Sequence, residues 1–480
     1  MKKVLILLLV AFAGFVKAQD FSSLKNNADY GDPIAQRDLA LKYLYGRDTE
    51  KNVDKAIEYY QKAALCGSTH AMMSLCDIYS DKGMYAEAIS YSKKLMDYGH
   101  AKSSFNIGIC FSHGFGTVQN KEKAQEYYAL GASMGDADCM NLLASMEKTK
   151  SNAVRYYETA ARLENPIAQY NYGAYLAMGI GISPNYVKAM YWITSAIENG
   201  YQIKSDKFSI ILNEFKKQAS NGNIDAKYVL GCCLMKIDAE KAQKYINEAL
   251  KNATPNVLAI HALFNKDNPK CIEWLTKSAE AGNAFAQNEL GVRYLDGNGV
   301  RKDNKTAFEL FKKSAAQNYP DGMFNLAMRY KNGEGTVQNM PLYVEYLQRL
   351  VAMQYANAIY FLGDYYYQKQ NYAEAVKLFQ KSVSVGLLQA LAYLGECYYY
   401  GRGVKQNYIT AAELFEDNLR TSHPMGTSAN CLSKIYRFGY GKVTKNVTYA
   451  DELLKKAASF NDENALKAIE AVSRLKSFKQ

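Results

Sequence analysis

A chain of 480 residues is longer than one hydrophobic core usually grows, so it must hold several domains or extend in one direction. Only 8 prolines and no Ser/Gly-rich or charge-block segment interrupt it, so composition marks no linker between domains. Its formal charge of +11 comes from basic residues scattered beside acids, not gathered in a stripe, which argues against a nucleic-acid surface.

The first element is an N-terminal leader. Lys2 and Lys3 precede an apolar stretch from Val4 to Val16, which ends in Val16-Lys17-Ala18 before the polar Gln19 and Asp20. That order is a secretory signal peptide with cleavage expected after Ala18, and the stretch is short against the roughly 20 residues that span a bilayer. The expectation is an exported, soluble mature chain beginning at Gln19, periplasmic or secreted, with no stable membrane span. Loss of Lys2, Lys3 and Lys17 lowers the formal charge from +11 to +8. No cysteine stands at the cleavage point to carry a lipid.

Beyond the leader one pattern recurs. In residues 284 to 318 it runs Ala284-Phe-Ala286, Leu290-Gly291-Val-Arg-Tyr294, Gly297-Asn-Gly299-Val300, Lys305-Thr-Ala307 and Phe311-Lys-Lys-Ser-Ala315-Ala316. The small residue at Ala286 can be followed through Ala35, Ala71, Ser103, Cys139, Ala168, Ala226, Gly322, Ala358, Ala390 and Ser428. Most intervals are 29 to 38 residues, and the two long ones, 58 and 60, have room for degenerate units around Phe208–Ala219 and Val257–Ala281.

Each unit reads as two helices, A and B. Ala286, Leu290 and Tyr294 fall on one face of helix A, while Ala307, Leu310, Phe311 and Ser314 form a second apolar stripe on helix B. Gly108, Gly173, Gly231, Gly291, Gly363 and Gly395 follow the helix-A leucine position, inside a helix where glycine costs about 0.5 to 1 kcal/mol relative to alanine. Repetition at one register position implies that helix B approaches too closely for a Cβ. A Gly-x-Gly loop then ends helix A at Gly114, Gly179, Gly297, Gly333, Gly401 and Gly439, and Asn120, Asn185, Asp303, Asn339, Asn407 and Asn446 are expected to cap helix B. Two units, at Gly83–Ala88 and Gln370–Ala375, have a collapsed loop.

This pattern, Ala-x-x-x-Leu-Gly-x-x-Tyr, Gly-x-Gly-Val, Lys-Ala and Lys-Ala-Ala, resembles the Sel-one-like repeat of the tetratricopeptide superfamily, and it covers nearly the whole mature chain. The predicted fold is all-α, an α/α solenoid of about thirteen helix-pair repeats. Its expected divisions are a signal peptide over 1–18, a lead-in over 19–32, the repeat solenoid over 33–461 and a C-terminal capping helix over 462–480. The resemblance implies a concave face that binds a protein or peptide partner.

Catalytic chemistry finds little support. Gly131-Ala-Ser133-Met-Gly135 matches the G-x-S-x-G string but ends a helix B, whereas a nucleophile elbow needs a strand before its serine. Cys66 with His70, and Cys110 with His113, supply two ligand types each where a structural zinc needs about four. No catalytic, cofactor-binding or metal-binding residue is assigned, no cofactor is expected and the chain is read as a non-enzyme. Some exported, cysteine-rich members of the resembled family are penicillin-binding or β-lactam-hydrolysing and bridge adjacent helices with paired cysteines, which makes that activity the alternative. This chain departs from the pattern: Cys76 replaces the helix-A glycine, and Cys110, Cys233 and Cys397 stand singly at the Arg293 position. Nine cysteines is also an odd number, and most are expected to be buried thiols.

What remains is a surface. Phe105, Tyr170, Tyr228, Phe324 and Tyr360 stand two residues before the helix-A leucine position. By analogy with tetratricopeptide repeats they are the candidate partner-binding residues, although aromatic rows at helical spacing also pack between helices.

Overall fold

The structure is a computed structural model that describes residues 21–235 and 238–477; the expected signal peptide lies outside them. Among the described residues are 27 α-helices, one short 3-10 turn and no strand, so the protein is all-α. The helices follow one another as pairs of the predicted kind, and the repeat unit at 284–318 illustrates why. Asn283 accepts from Ala286 N at 2.9 Å to open helix Ala284–Asp296, and Gly297 closes it in the left-handed region. Asp303 accepts from Lys305 N at 2.9 Å and Thr306 N at 3.1 Å to open helix Asn304–Ala316. Ala286 and Leu290 on one helix, and Ala307 and Phe311 on the other, are buried.

All six expected helix-B caps form, at Asn120, Asn185, Asp303, Asn339, Asn407 and Asn446. The helix-A glycine has the steric role that its recurrence implied. A Cβ on Gly173 would stand 2.7 Å from Ile193 Cγ1 and 3.0 Å from the Ala189 carbonyl oxygen; Gly231 meets Ile246 and Ala242 at the same distances. On Gly291 and Gly395 it would stand 2.6 Å from a ring carbon of Phe311 and Phe415. In each case the obstruction is helix B of the same repeat.

The Gly-x-Gly loop holds a second requirement that its sequence conceals. Gly333, the first glycine of its pair, caps helix Pro320–Asn332 with its N–H on the Arg329 carbonyl, and a Cβ there would meet nothing closer than 3.4 Å. Gly335 also has positive φ, but its Cβ would overlap the carbonyl oxygen of Asn304, which begins helix B of the preceding repeat. Gly403 bears likewise on Tyr372, and Gly116 on Tyr85 and Ala86. The first glycine turns the chain, and the second lets successive repeats touch.

The two degenerate segments differ. Val257–Ala281 contains a short pair, Pro255–Phe264 and Cys271–Glu280, whereas Phe208–Ala219 lies in one longer helix, Ser205–Ser220. A helix Phe21–Asp29 occupies the lead-in, and helix Glu463–Ser477 follows the last pair.

The chain forms two compact units, one of residues 128–365 and one that combines both chain ends, 21–127 and 366–477 among the described residues. In the first, polar side chains link adjacent register positions of successive helices A: Asn171 donates to Asn141 Oδ1 at 3.2 Å and Asn325 to Asn288 Oδ1 at 2.8 Å. The second contains contacts that repeat periodicity does not foretell. Thr410 Oγ1 donates to the Gly67 carbonyl at 3.0 Å, and Thr444 N donates to Asp32 Oδ2 at 2.7 Å. Tyr98 stacks on Tyr398 with ring centroids 6.1 Å apart. The first and last repeats of the described chain are thus packed together.

Candidate functional site

Within the unit of the chain ends, a cavity of about 340 Å³ opens between helices Pro33–Tyr45 and Thr69–Asp81 on one side and residues 383–421 on the other. Its walls are largely apolar, contributed by Leu41, Tyr60, Met73, Val383, Leu388 and Leu391. Charged groups interrupt them: Arg37, Asp38, His70, Asp77, Asp417 and Arg420.

Helix Tyr408–Leu419 explains how the charges are held. Thr410, Glu413, Glu416 and Asp417 lie three to four residues apart and share one helical face, which is turned toward the first two repeats. Glu413 accepts from Thr69 N at 2.8 Å, Thr69 Oγ1 at 3.0 Å and Ser68 Oγ, so a carboxylate caps a helix N-terminus from a distant part of the sequence. The buried Arg37 guanidinium lies 3.0 Å from Glu416, 3.6 Å from Glu413 and 2.8 Å from Asp38. His70 Nε2 is 2.9 Å from Asp417, which Arg420 also contacts at 2.9 Å.

The titrating groups report the sign of this environment. Burial alone would lower His70, but Asp417 and Glu413 raise it to about 9. Burial pushes the Asp38 carboxyl above the usual carboxylate range, with Glu416 and Asp32 adding to it and Arg37 opposing. Burial would also raise Asp417, yet His70 and Arg420 hold it below its ordinary value. His100 is lowered to about 4 by burial and by the neighbouring His70. His70, which stands four residues from Cys66, is thus engaged in an ion pair with Asp417.

The five candidate aromatic residues occupy varied surroundings. Tyr170 and Tyr228 are buried, at 5% and 3% exposure; Tyr170 packs on Tyr201, and Tyr228 meets His261 Nδ1 at 3.0 Å. Phe105, Phe324 and Tyr360 are half-buried. Lys102 Nζ lies 3.9 Å from the Phe105 ring centre, Phe324 contacts Tyr355 and Phe361, and Tyr360 contacts Phe361. The same register position in the first two repeats, two residues before Leu39 and Leu75, is held by Arg37 and Met73, both on the cavity wall. The sequence reading missed these two because it followed only aromatic occupants of that position.

Elsewhere the residues that suggested chemistry have structural surroundings. Ser133 ends helix Lys121–Ser133 and donates to the Leu130 carbonyl at 2.7 Å. Cys76, Cys110, Cys139, Cys271, Cys397 and Cys431 are buried thiols; burial raises Cys76 to about 11 and Cys397 to about 12, which disfavours the nucleophilic thiolate. Among the described residues no helix is long and apolar enough to cross a membrane.

The Sel1 repeat model matches residues 33–68, 101–136, 145–165, 166–201, 265–283, 284–319, 320–355, 388–416 and 429–459, together more than half of the chain. The chain belongs to the Sel1 repeat family. A tetratricopeptide repeat model matches residues 356–385, one of the two units with a collapsed loop. Sel1 repeat relatives include the ERAD-associated E3 ubiquitin-protein ligase component HRD3B of Arabidopsis thaliana, 25% identical over 230 residues, covering 45% of this chain and 35% of that protein. The chitin synthase regulator SKT5 of Saccharomyces cerevisiae is 22% identical over 311 residues, covering 58% and 40%. The chain therefore spans between a third and two-fifths of the length of these curated relatives. Among solved structures, a protective antigen of uropathogenic Escherichia coli with an SLR fold aligns over 94% of this chain and 91% of its own, at 22% identity and a TM-score of 0.38. A Sel1 repeat protein of Oxalobacter formigenes aligns over 49% of this chain and 99% of its own, at 22% identity and a TM-score of 0.41. The family is one of repeat scaffolds that take part in protein–protein interaction.

Proposed function

We propose that this chain is an exported scaffold that holds a protein or peptide partner on a concave helical surface. The observation that carries this reading is the shared register: Arg37 and Met73, on the wall of an apolar cavity, stand at the helix-A position that is aromatic in five other repeats. A row of like positions along stacked repeats is how such proteins build an extended binding face. The relatives support a non-catalytic role by their names, a ligase component and a synthase regulator. Export rests on residues 1–18 alone.

Affinity capture from the exported fraction tests the reading, with the mature chain compared against the triple variant Phe105→Ala, Phe324→Ala, Tyr360→Ala. These three are half-buried, whereas truncation of the buried Tyr170 or Tyr228 would measure stability before it measured binding. Loss of partner recovery from a folded variant is expected; equal recovery would reject the surface. Fractionation with N-terminal sequencing is expected to find Gln19 first, and an intact leader in a retained protein would reject export.

A further inference from the structure

The charge-lined cavity at the chain ends has a preference of sign that its lining alone does not reveal. Three cationic groups, Arg37, His70 and Arg420, stand against five carboxylates: Asp38, Asp77, Glu413, Glu416 and Asp417. Glu413 and Glu416 lie behind the wall, and their side chains are 1% and 8% exposed. With His70 protonated and all five carboxylates ionised, the group as a whole carries two more negative than positive charges. Asp417 and Glu413 raise His70 against the effect of its burial, so the base is held protonated beside them. A volume of about 340 Å³ admits more than a water or a simple ion. Its apolar walls favour an occupant with an aliphatic body, and Leu388, 45% exposed, presents such a surface at the cavity.

We propose that this cavity receives a lysine or arginine side chain of the bound protein partner. Its charge faces Asp38, Asp77 and Asp417, while its stem and an adjoining aliphatic residue lie against Leu41, Met73, Leu388 and Leu391. A long basic side chain suits this combination because its methylenes bury along apolar surface while its head keeps polar company. Charge complementarity at the cavity also disfavours acidic segments, which supplies selectivity as well as affinity. The proposal rests on the scaffold reading and names the chemistry of the partner at one point of contact.

Calorimetric titration of the full mature chain tests it, with blocked peptides Gly-Leu-Lys-Leu-Gly and counterparts carrying glutamate or norleucine in place of lysine. The lysine peptide is expected to bind at low ionic strength, at least tenfold more tightly than the norleucine peptide, with no binding of the glutamate peptide. Asp77→Lys and Leu388→Ser change exposed residues, and circular dichroism of each variant checks that its helices are retained. Asp77→Lys is expected to abolish binding, and Leu388→Ser to weaken it several-fold. Equal binding of the three peptides, lysine binding unaffected by Asp77→Lys, or no saturable lysine binding at millimolar concentration would overturn the proposal. If partner capture succeeds while the lysine peptide fails, the cavity assignment falls and the scaffold reading stands.

Discussion

The backbone N–H of Thr69 donates to Glu413 Oε2 at 2.8 Å, although the two residues lie 344 positions apart. Thr69 begins helix Thr69–Asp81, whose first N–H groups have no partner inside the helix. Ser68 satisfies Ala71 N in the ordinary way, and Glu413 brings a full negative charge to the remaining donors at the positive end of the helix dipole. The same carboxylate is 3.6 Å from the buried Arg37, so one side chain joins a helix cap to an ion pair.

Glu413→Ala is expected to destabilise the unit of the chain ends by about 3 to 5 kcal/mol, the usual cost of removing one member of a buried charge network. Its side chain is 1% exposed, so water does not replace it readily. Glu413→Gln keeps an acceptor for Thr69 N and should cost less. Urea denaturation followed by tyrosine fluorescence checks both, and an unchanged midpoint for Glu413→Ala would reject the clasp.

The His70–Asp417 pair predicts a stability limb at alkaline pH. His70 rises from an ordinary 6.5 to about 9, so its contribution is fully present below about 6.5 and is lost as pH rises through about 9. A shift of that size corresponds to roughly 3 kcal/mol, reduced to about 1 to 2 kcal/mol because the side chain is 21% exposed and its charge partly screened. Unfolding free energies at neutral and alkaline pH, compared with those of His70→Ala, are expected to differ by that amount. A parallel pH profile in the variant would assign the limb to other groups.

The repeat was legible because each unit solves the same local problem. Leu290, Phe311 and the glycine between them must satisfy one helix pair, and selection for that pair leaves a mark every 29 to 38 residues. Asn339 and Asp303 were legible for a like reason, since a cap acts within three residues. Glu413 was not legible. With Glu416 and Asp417 it forms an acidic helix face that by pattern alone is a solvated one, and only the return of the last repeats onto the first buries it. The second glycine of Gly-x-Gly was half legible: its positive φ is written in the residue, but its contact with the preceding repeat is not.

The helix-A glycine supplies a test within one repeat. Alanine is the better helix former by about 0.5 to 1 kcal/mol, so Gly173→Ala would stabilise an uncrowded helix. Here the added Cβ meets Ile193 Cγ1 at 2.7 Å and the Ala189 carbonyl at 3.0 Å, and backbone cannot move aside as a side-chain tip can. A net loss of about 1 to 3 kcal/mol is expected, and more for Gly291→Val, which drives a branched side chain into Phe311. Thermal melts decide the sign; a raised melting temperature for Gly173→Ala would refute close helix packing.

The two glycines of one loop offer a sharper contrast, because both have nearly the same backbone conformation. Gly333 has φ 72° and Gly335 has φ 73°, so replacement of either by alanine incurs a similar left-handed penalty of about 1 kcal/mol. They differ in what surrounds the new methyl. At Gly333 its nearest neighbour is Gln338 N at 3.4 Å, which is tolerable; at Gly335 it collides with the Asn304 carbonyl. Asn304 begins helix B of the preceding repeat, so relief of the collision must separate two repeats or bend the loop. Gly335→Ala is therefore expected to cost at least about 1 kcal/mol more than Gly333→Ala, and to speed amide exchange at the start of helix Asn304–Ala316 as well as in its own loop. Equal losses, with exchange confined to residues 333–339, would mean that the second glycine serves only the turn.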